Sequence, residues 1–217
     1  ICMAYDVVIF DLDGTLLDTL DDLMDSCNYA LSTIGAPPRT RAEIRRFVGN
    51  GIRNLMLQAV PDGEDNPKFE QAYETMQTWY KAHNQIKTAP YPGVQRLIRT
   101  LKQQGVPMAV VSNKPDASVQ MLVEQWFPEI TFGLGEREGL RRKPERDMVD
   151  YAIAQLGQTG KKTVYVGDSE VDLTTAANAG LDCISVTWGF RDRALLVERG
   201  AKQFADTAED LLQLIQG

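Results

Sequence analysis

Val7-Val8-Ile9-Phe10-Asp11-Leu12-Asp13-Gly14-Thr15-Leu16-Leu17-Asp18-Thr19 is the stretch on which the reading of the whole chain turns. Its first four residues have the make-up of a short strand covered on both faces. They run without a break into two carboxylates two residues apart, followed by Gly-Thr. Taken alone, Asp-x-Asp-Gly after a strand is an acidic turn. At the carboxyl end of a strand in an open α/β sheet, the same residues stand where such sheets build their sites. The fold therefore has to be read outward from here.

Further apolar bursts occur at Pro107–Val111, Thr163–Val166 and Cys183–Val186, with a weaker one at Ile130–Leu134; the first strand itself is expected over Asp6–Phe10. All are continuous runs, as in parallel strands buried on both faces. Helical stripes separate them. Val94, Leu97, Ile98 and Leu101 form one, stopped by Gln103-Gln104-Gly105; Val119, Leu122, Val123 and Trp126 form another, and Leu211, Leu212 and Ile215 a third. This alternation predicts an α/β fold with a doubly wound, mainly parallel sheet.

One interval breaks the rhythm. From about Leu20 to Thr88 there is no convincing strand, yet it separates the first strand from the second. Leu20, Leu23, Met24, Cys27, Leu31 and Ile34 form an amphipathic stripe closed by Gly35 and Pro37-Pro38. Thr40 and Glu43 have capping-box spacing, and Phe69, Tyr73, Met76 and Tyr80 predict a further helix. Trp79, Tyr80 and Tyr73 are expected in its core, and His83 near a helix end on the surface. So long a helical insert is expected to pack as its own all-helical domain, residues 19–88, against a core of residues 1–18 and 89–217. Leu16–Thr19 and Thr88–Gly93 are the expected hinges.

Composition bounds the partners. The 217-residue chain is 43% hydrophobic and 24% charged, with a formal charge of -7. Nucleic acid and an anionic membrane surface are therefore not expected as partners. An anionic substrate would need local cations or backbone N–H groups. Cys2, Cys27 and Cys183 form no C-x-x-C pair and are expected to be free thiols of a reducing compartment. With no long apolar run and no basic-then-apolar start, neither a membrane span nor a signal peptide is expected, and the expected location is cytoplasmic.

Three more stretches follow or lie near core strands. Ser112-Asn113-Lys114 places a hydroxyl and an amide where a phosphoryl oxygen could be held, although alone it is a common turn. Arg141-Arg142-Lys143-Pro144 is a basic cluster in an acidic chain, either a surface loop or a cation for developing negative charge. Gly167-Asp168-Ser169-Glu170-Val171-Asp172 offers oxygen ligands that suit Mg²⁺, in a pattern also found at helix N-termini. Asp11 and Asp13 should titrate as a coupled pair, which suits one as nucleophile and the other as acid/base. Gly14 and Thr15 are expected to present backbone N–H groups to an anion.

In their order and placement these four stretches resemble the motifs of the haloacid dehalogenase superfamily. With Phe47-Val48-Gly49-Asn50-Gly51, Tyr91-Pro92-Gly93-Val94 and Ser112-Asn113-Lys114-Pro115, the chain is similar to the phosphoglycolate phosphatase-like group with a helical (C1-type) cap, over essentially its whole length. The resemblance implies a phosphatase in which Asp11 attacks phosphorus and Asp13 is the acid/base. It implies that Ser112 and Lys143 bind phosphoryl oxygens with Asn113 beside them. Mg²⁺ would be held by Asp11, the Asp13 carbonyl and Asp168, with Asp172 completing the shell directly or through water. After Lys143-Pro144, relatives often carry a second proline where this chain has Glu145-Arg146.

The expected function is thus Mg²⁺-dependent hydrolysis of a small phosphorylated metabolite, phosphoglycolate-like or a sugar phosphate, by a monomer or weak homodimer. The alternatives are a sugar-phosphate phosphomutase, a pyrophosphatase or a non-catalytic phospho-ligand binder on the same scaffold. In the helical insert, Gly49, Asn50 and Arg53 are the candidates for substrate selectivity.

Overall fold

The computed structural model describes residues 3–217; Cys2, expected as a free thiol, lies outside them. In chain order the elements are β1 (Val7–Phe10), β2 (Leu17–Asp18), α1 (Leu20–Thr33), α2 (Arg41–Phe47), α3 (Gly51–Ala59) and α4 (Phe69–His83). There follow β3 (Ala89–Pro90), α5 (Val94–Gln103), β4 (Met108–Pro115), α6 (Asp116–Trp126), β5 (Phe132–Glu136) and α7 (Asp147–Gln155). The chain ends with β6 (Thr163–Gly167), α8 (Glu170–Ala179), β7 (Asp182–Val186), α9 (Arg193–Glu198), β8 (Gln203–Ala205) and α10 (Ala208–Gln216). It divides into two compact units, one from the residues up to Leu17 together with Pro90–Gly217, the other Asp18–Ala89.

The first unit holds a six-stranded sheet in the order β5-β4-β1-β6-β7-β8. Every pairing is parallel, with Ile9 lying between Ala109 and Tyr165. β1 is buried along its whole length because its alternate residues face two different cores. Val8 and Phe10 pack with Val94, Leu97, Leu122 and Leu211 of α5, α6 and α10. Val7 and Ile9 pack with Met148, Ala152 and Ala176 of α7 and α8. Each fully buried Val, Leu, Ile, Phe or Met among them contributes roughly 1.5–3 kcal/mol.

The strand order reverses at β1. From it the chain reaches β4 and β5 on one side and β6, β7 and β8 on the other. The carboxyl ends of β1, β4 and β6 therefore flank the crevice that this topology leaves open. β8 has no expectation behind it: three residues with one fully buried side chain carry little pattern, and it forms because the edge of β7 offers a ladder.

The second unit is helical. α1 packs against α2 and α4, and α3 against α2 and α4. Its buried residues include Leu23, Cys27 and Leu31 of α1, Ile44 of α2, Met56 of α3 and Met76 and Tyr80 of α4. The Thr40 capping box forms: the Glu43 N–H donates to Thr40 Oγ1 at 3.2 Å and the Thr40 N–H to Glu43 Oε2 at 2.8 Å. Gly35, at φ +71°, follows the end of α1 in the left-handed conformation that glycine adopts cheaply. Buried Asp22 ties the start of α1 to the returning chain, accepting from the N–H groups of Lys87 and Thr88 and from the Thr88 hydroxyl at 2.8–3.0 Å. Tyr80 is core, but Trp79 is half-buried, stacked between Tyr29 and His83 with centroids 3.6 and 3.9 Å away. Helical spacing places Trp79 beside Tyr80 in sequence, but on a different face of α4. Among the described residues no helix is long and apolar enough to cross a membrane.

Candidate active site

Asp11 is the first residue beyond β1, and its N–H continues the ladder by donating to Val166 O at 2.9 Å. The ladder therefore fixes the backbone from which the carboxylate projects. Lys143, more than 130 positions away, donates from Nζ to Asp11 Oδ1 at 3.0 Å, and the lysine is 2% exposed. The same ammonium donates to Asp172 Oδ1 at 3.0 Å and to the Tyr165 hydroxyl at 2.7 Å. Asp13 has a lysine of its own: Lys114 Nζ lies 3.0 Å from Asp13 Oδ1, with Lys114 buried. Each of the two motif aspartates is thus paired with a buried ammonium group.

Asp168 and Asp172 stand where β6 passes into α8. Asp172 Oδ2 accepts from the Asp168 and Ser169 N–H groups and the Ser169 hydroxyl at 2.9–3.1 Å, so it caps the helix it belongs to. Its Oδ1 takes Lys143 and the Tyr165 hydroxyl, the latter at 2.8 Å. Asp168 Oδ1 accepts from Thr15 Oγ1 at 3.0 Å, and Oδ2 from the Phe190 N–H at 2.8 Å.

Several expected phosphate contacts have other partners. The Gly14 N–H donates to Leu17 O at 2.9 Å and the Thr15 N–H to Leu12 O at 3.3 Å, so both are used inside the turn. Gly14 adopts φ +84°, with Asp168 and Phe190 so near that a Cβ would collide with them. These two residues also shape the surroundings of Asp168, Gly14 by its small volume and Thr15 by its hydroxyl. Asn113 grips the backbone of Lys143, donating to Lys143 O at 3.0 Å and accepting from Lys143 N at 2.9 Å. Its side-chain amide clasps the loop that carries Lys143. Ser112 is buried, and its Oγ accepts from the Lys114 N–H at 3.1 Å.

In the helical unit, Gly49 and Gly51 have φ of +128° and +82° on either side of Asn50, which precedes α3. Arg53 is bidentate to Glu70 at 2.7 and 3.2 Å, reaches Glu64 at 3.1 Å and lies over the Phe69 and Tyr73 rings. Its charge is paired within that unit, in ion pairs exposed to solvent. Arg146, at the departure from the second proline, pairs with Asp150 in the first turn of α7.

Other neighbours carry no sequence signal. Trp188 Nε1 donates to Thr15 O at 3.0 Å, and Arg191 Nε to Glu170 at 2.7 Å. The Trp188-Gly189-Phe190-Arg191 loop after β7 thus braces Thr15 and Asp168 at once. No short motif marks it, because Asp168 is met by the Phe190 main-chain N–H and by the small volume of Gly189, and Thr15 is met at its backbone carbonyl. Tyr165 reads as one more apolar strand residue until its hydroxyl is placed. Lys114 stands next to Ser112-Asn113 in the sequence, but nothing in that order of residues names Asp13 as its partner.

The model of the family described as haloacid dehalogenase-like hydrolase matches residues 8–186, which contain all of these motif side chains. The chain belongs to that family. Within it the chain falls in the phosphoglycolate phosphatase-like group. It is 33% identical over 194 residues to a phosphoglycolate phosphatase of Pseudomonas putida, covering 85% of this chain and 70% of that one. The phosphoglycolate phosphatase of Agrobacterium fabrum is 32% identical over 198 residues, 86% and 82% of the two chains. A solved structure from Lactobacillus delbrueckii subsp. bulgaricus, a candidate phosphoglycolate phosphatase, superposes with a TM-score of 0.93 at 39% identity, covering 98% of this chain and 99% of that one.

The electrostatics of this haloacid dehalogenase-like hydrolase follow from crowding. Burial, then Asp172, push the Asp11 carboxyl well up, and Lys143 only partly offsets them. Burial, then Asp172, likewise raise Asp168 to about 7. Burial would raise Asp172 too, but Lys143, with hydrogen bonds from Tyr165 and Ser169, outweighs it and holds the carboxyl low. Burial would lower Lys143, but Asp11 and Asp172 outweigh it and keep the ammonium above its usual range.

With all four carboxylates (Asp11, Asp13, Asp168, Asp172) ionised, the two ammonium groups (Lys143, Lys114) would leave two negative charges uncompensated. Asp11, Asp168 and Asp172 offer carboxylate oxygens all within 4.8 Å of one another. Hard oxygen donors with a charge deficit of two fit a divalent ion such as Mg²⁺. Asp172, whose two oxygens already take five donors, is the least available of the three.

Stability should register that deficit. Asp168 binds a proton more tightly folded, at about 7, than unfolded, near 3.8, so its contribution is complete below the unfolded value. It is lost as pH rises through the folded one. Asp172, held low, and Lys143, held high, do not titrate between those limits. The melting temperature of EDTA-treated protein is therefore expected to fall from pH 5.5 to pH 8, an interval that carries about 2 kcal/mol of this contribution. Mg²⁺ should flatten the slope. Thermal scans in EDTA that rise over that interval would contradict this account.

Proposed function

We propose that the protein is a Mg²⁺-dependent phosphomonoesterase that hydrolyses a small phosphorylated metabolite, of the phosphoglycolate or sugar-phosphate kind, through an aspartyl-phosphate. The observation that carries this reading is Asp11 at the end of β1, held 3.0 Å from buried Lys143, with Asp13 next on the same turn and paired to Lys114. A carboxylate meeting a phosphate dianion is repelled unless cations lie beside it, and this site supplies them.

In the first step an Asp11 oxygen forms a bond to phosphorus while the ester oxygen leaves with the bonding pair. Asp13 gives that oxygen a proton, so an alcohol departs and Asp13 becomes a carboxylate. In the second step water attacks the phosphorus, Asp13 takes the water's proton, and the bond to Asp11 breaks to release inorganic phosphate. Lys143 stabilises negative charge on the phosphoryl oxygens in both steps, with Ser112 beside it, and Asn113 fixes the backbone that carries Lys143. Asp11, Asp168 and the Asp13 carbonyl would hold Mg²⁺, with Asp172 completing the acidic shell, and the ion would supply the charge neutralisation that two lysines leave incomplete.

Selectivity is assigned to the helical unit, at the Gly49-Asn50-Gly51 turn, with Arg53 on the α3 that follows it as the further candidate. The relatives named phosphoglycolate phosphatases support a short anionic substrate. The test is phosphate release from phosphoglycolate, sugar phosphates, nucleotides and pyrophosphate, with Mg²⁺ or EDTA, compared as kcat/KM. Release from a monoester only with Mg²⁺ is expected. Isomerisation of a sugar phosphate without release would move the assignment to a mutase, pyrophosphate as the sole substrate to a pyrophosphatase, and no turnover of any ester would end the phosphatase reading.

A further inference from the structure

Tyr165 lies on β6 at the register position opposite Ile9, two residues before Asp11, which follows the end of β1. Its ring joins the core face built from Val7, Ile9, Ala109 and Val111, where an aliphatic side chain would satisfy packing. A phenol buried there at 0% exposure costs desolvation unless its hydroxyl is fully used. It is used: the hydroxyl accepts from Lys143 Nζ at 2.7 Å and donates to Asp172 Oδ1 at 2.8 Å, while Lys143 and Asp172 are 3.0 Å apart. The three atoms close a triangle behind the lysine.

A lysine ammonium carries three donors on a long, flexible stem. Here the triangle takes two of them, and the third points to Asp11 Oδ1. We propose that Tyr165 is a positioning residue for phosphoryl transfer: its hydroxyl holds Lys143 so that the remaining N–H faces the reacting carboxylate and the phosphoryl group bound there. Without it the ammonium keeps one anchor behind and swings about it. The role rests on the phosphatase reading, in which Lys143 meets the charge that develops during transfer. Preorganised donors act most strongly when nothing has to move as charge develops, so the loss falls on the chemical step, not on substrate capture.

The experiment is a double-mutant cycle of Tyr165→Phe and Lys143→Met, read by single-turnover kinetics on an aryl phosphate with Mg²⁺. Tyr165→Phe is expected to lower the rate of transfer by roughly 10- to 100-fold, as for comparable supporting residues, and to leave KM nearly unchanged. In the Lys143→Met background the same change is expected to have almost no further effect, because Tyr165 acts through the lysine. A merely structural tyrosine would multiply its loss in both backgrounds, and that result, or a Tyr165→Phe rate equal to wild type, overturns the role. A wild type that turns over no phosphate ester overturns the phosphatase reading and this role with it. An active wild type matched by Tyr165→Phe overturns the role alone. Should Tyr165→Phe not fold, a crystal structure of wild type with beryllofluoride and Mg²⁺ decides. The Tyr165 hydroxyl within about 3.2 Å of Lys143 Nζ supports it, and an ammonium that has left the tyrosine overturns it.

Discussion

Asp11→Asn is expected to reduce turnover by about 10,000-fold or more while leaving the fold intact. The carboxamide has nearly the shape of the carboxylate but is a poor nucleophile toward phosphorus, so no acyl phosphate forms. Hydroxylamine should trap a hydroxamate at residue 11 from wild type during turnover and none from the variant. The stability side is separate. In the metal-free protein, burial and Asp172 disfavour the Asp11 charge more than Lys143 favours it. A neutral amide relieves that conflict, and Lys143 keeps Asp172 and Tyr165 as partners. The melting temperature in EDTA should therefore equal or exceed that of wild type. Turnover within tenfold of wild type would remove Asp11 from the role of nucleophile, and a fall in melting temperature would refute the charge argument.

Gly189→Ala is expected to cost about 100-fold in activity, although residue 189 touches no substrate in the mechanism. A Cβ at this position would collide with the Asp168 side chain and with the Gly14 carbonyl. Neither neighbour can yield cheaply. Asp168 is held on both oxygens, by Thr15 and by the Phe190 N–H, and Gly14 sits in a turn closed by its own hydrogen bond to Leu17. Overpacking of this kind costs typically 1–3 kcal/mol, and the displaced carboxylate is one of the proposed metal ligands. The expected result is weaker Mg²⁺ binding in a titration followed by activity, with partial recovery at high Mg²⁺. A variant with wild-type Mg²⁺ dependence would show that the loop after β7 does not set the position of Asp168. Gly167, where a Cβ would run into Asp172, is under the same constraint.

Much of this was legible from local pattern. Continuous apolar runs mark β1, β4, β6 and β7 because a strand covered on both faces needs apolar residues on both, whatever lies beyond them. Carboxylates and a lysine at or near strand ends announce a site because few other uses put those groups there. Legibility ended where a side chain's partner is distant in sequence. Asn113 looked like a phosphate ligand because its residue type permits that, and nothing in the order of residues shows that both ends of its amide close on the backbone of Lys143. Gly14 and Thr15 looked like anion-binding amides because the turn's internal hydrogen bonds have no signature of their own.

By itself, then, the sequence determined the alternation of strands and helices, the helical interruption after the first strand, and the chemical types gathered near strand ends. Those depend on side-chain polarity and spacing, which the chain carries locally. Only the tertiary structure decided which lysine serves which aspartate, that Tyr165 backs Lys143, and that a glycine after β7 leaves room for Asp168. These choices depend on the order in which β4, β1, β6 and β7 lie side by side, and a parallel sheet brings together residues whose separation along the chain carries no record of the meeting.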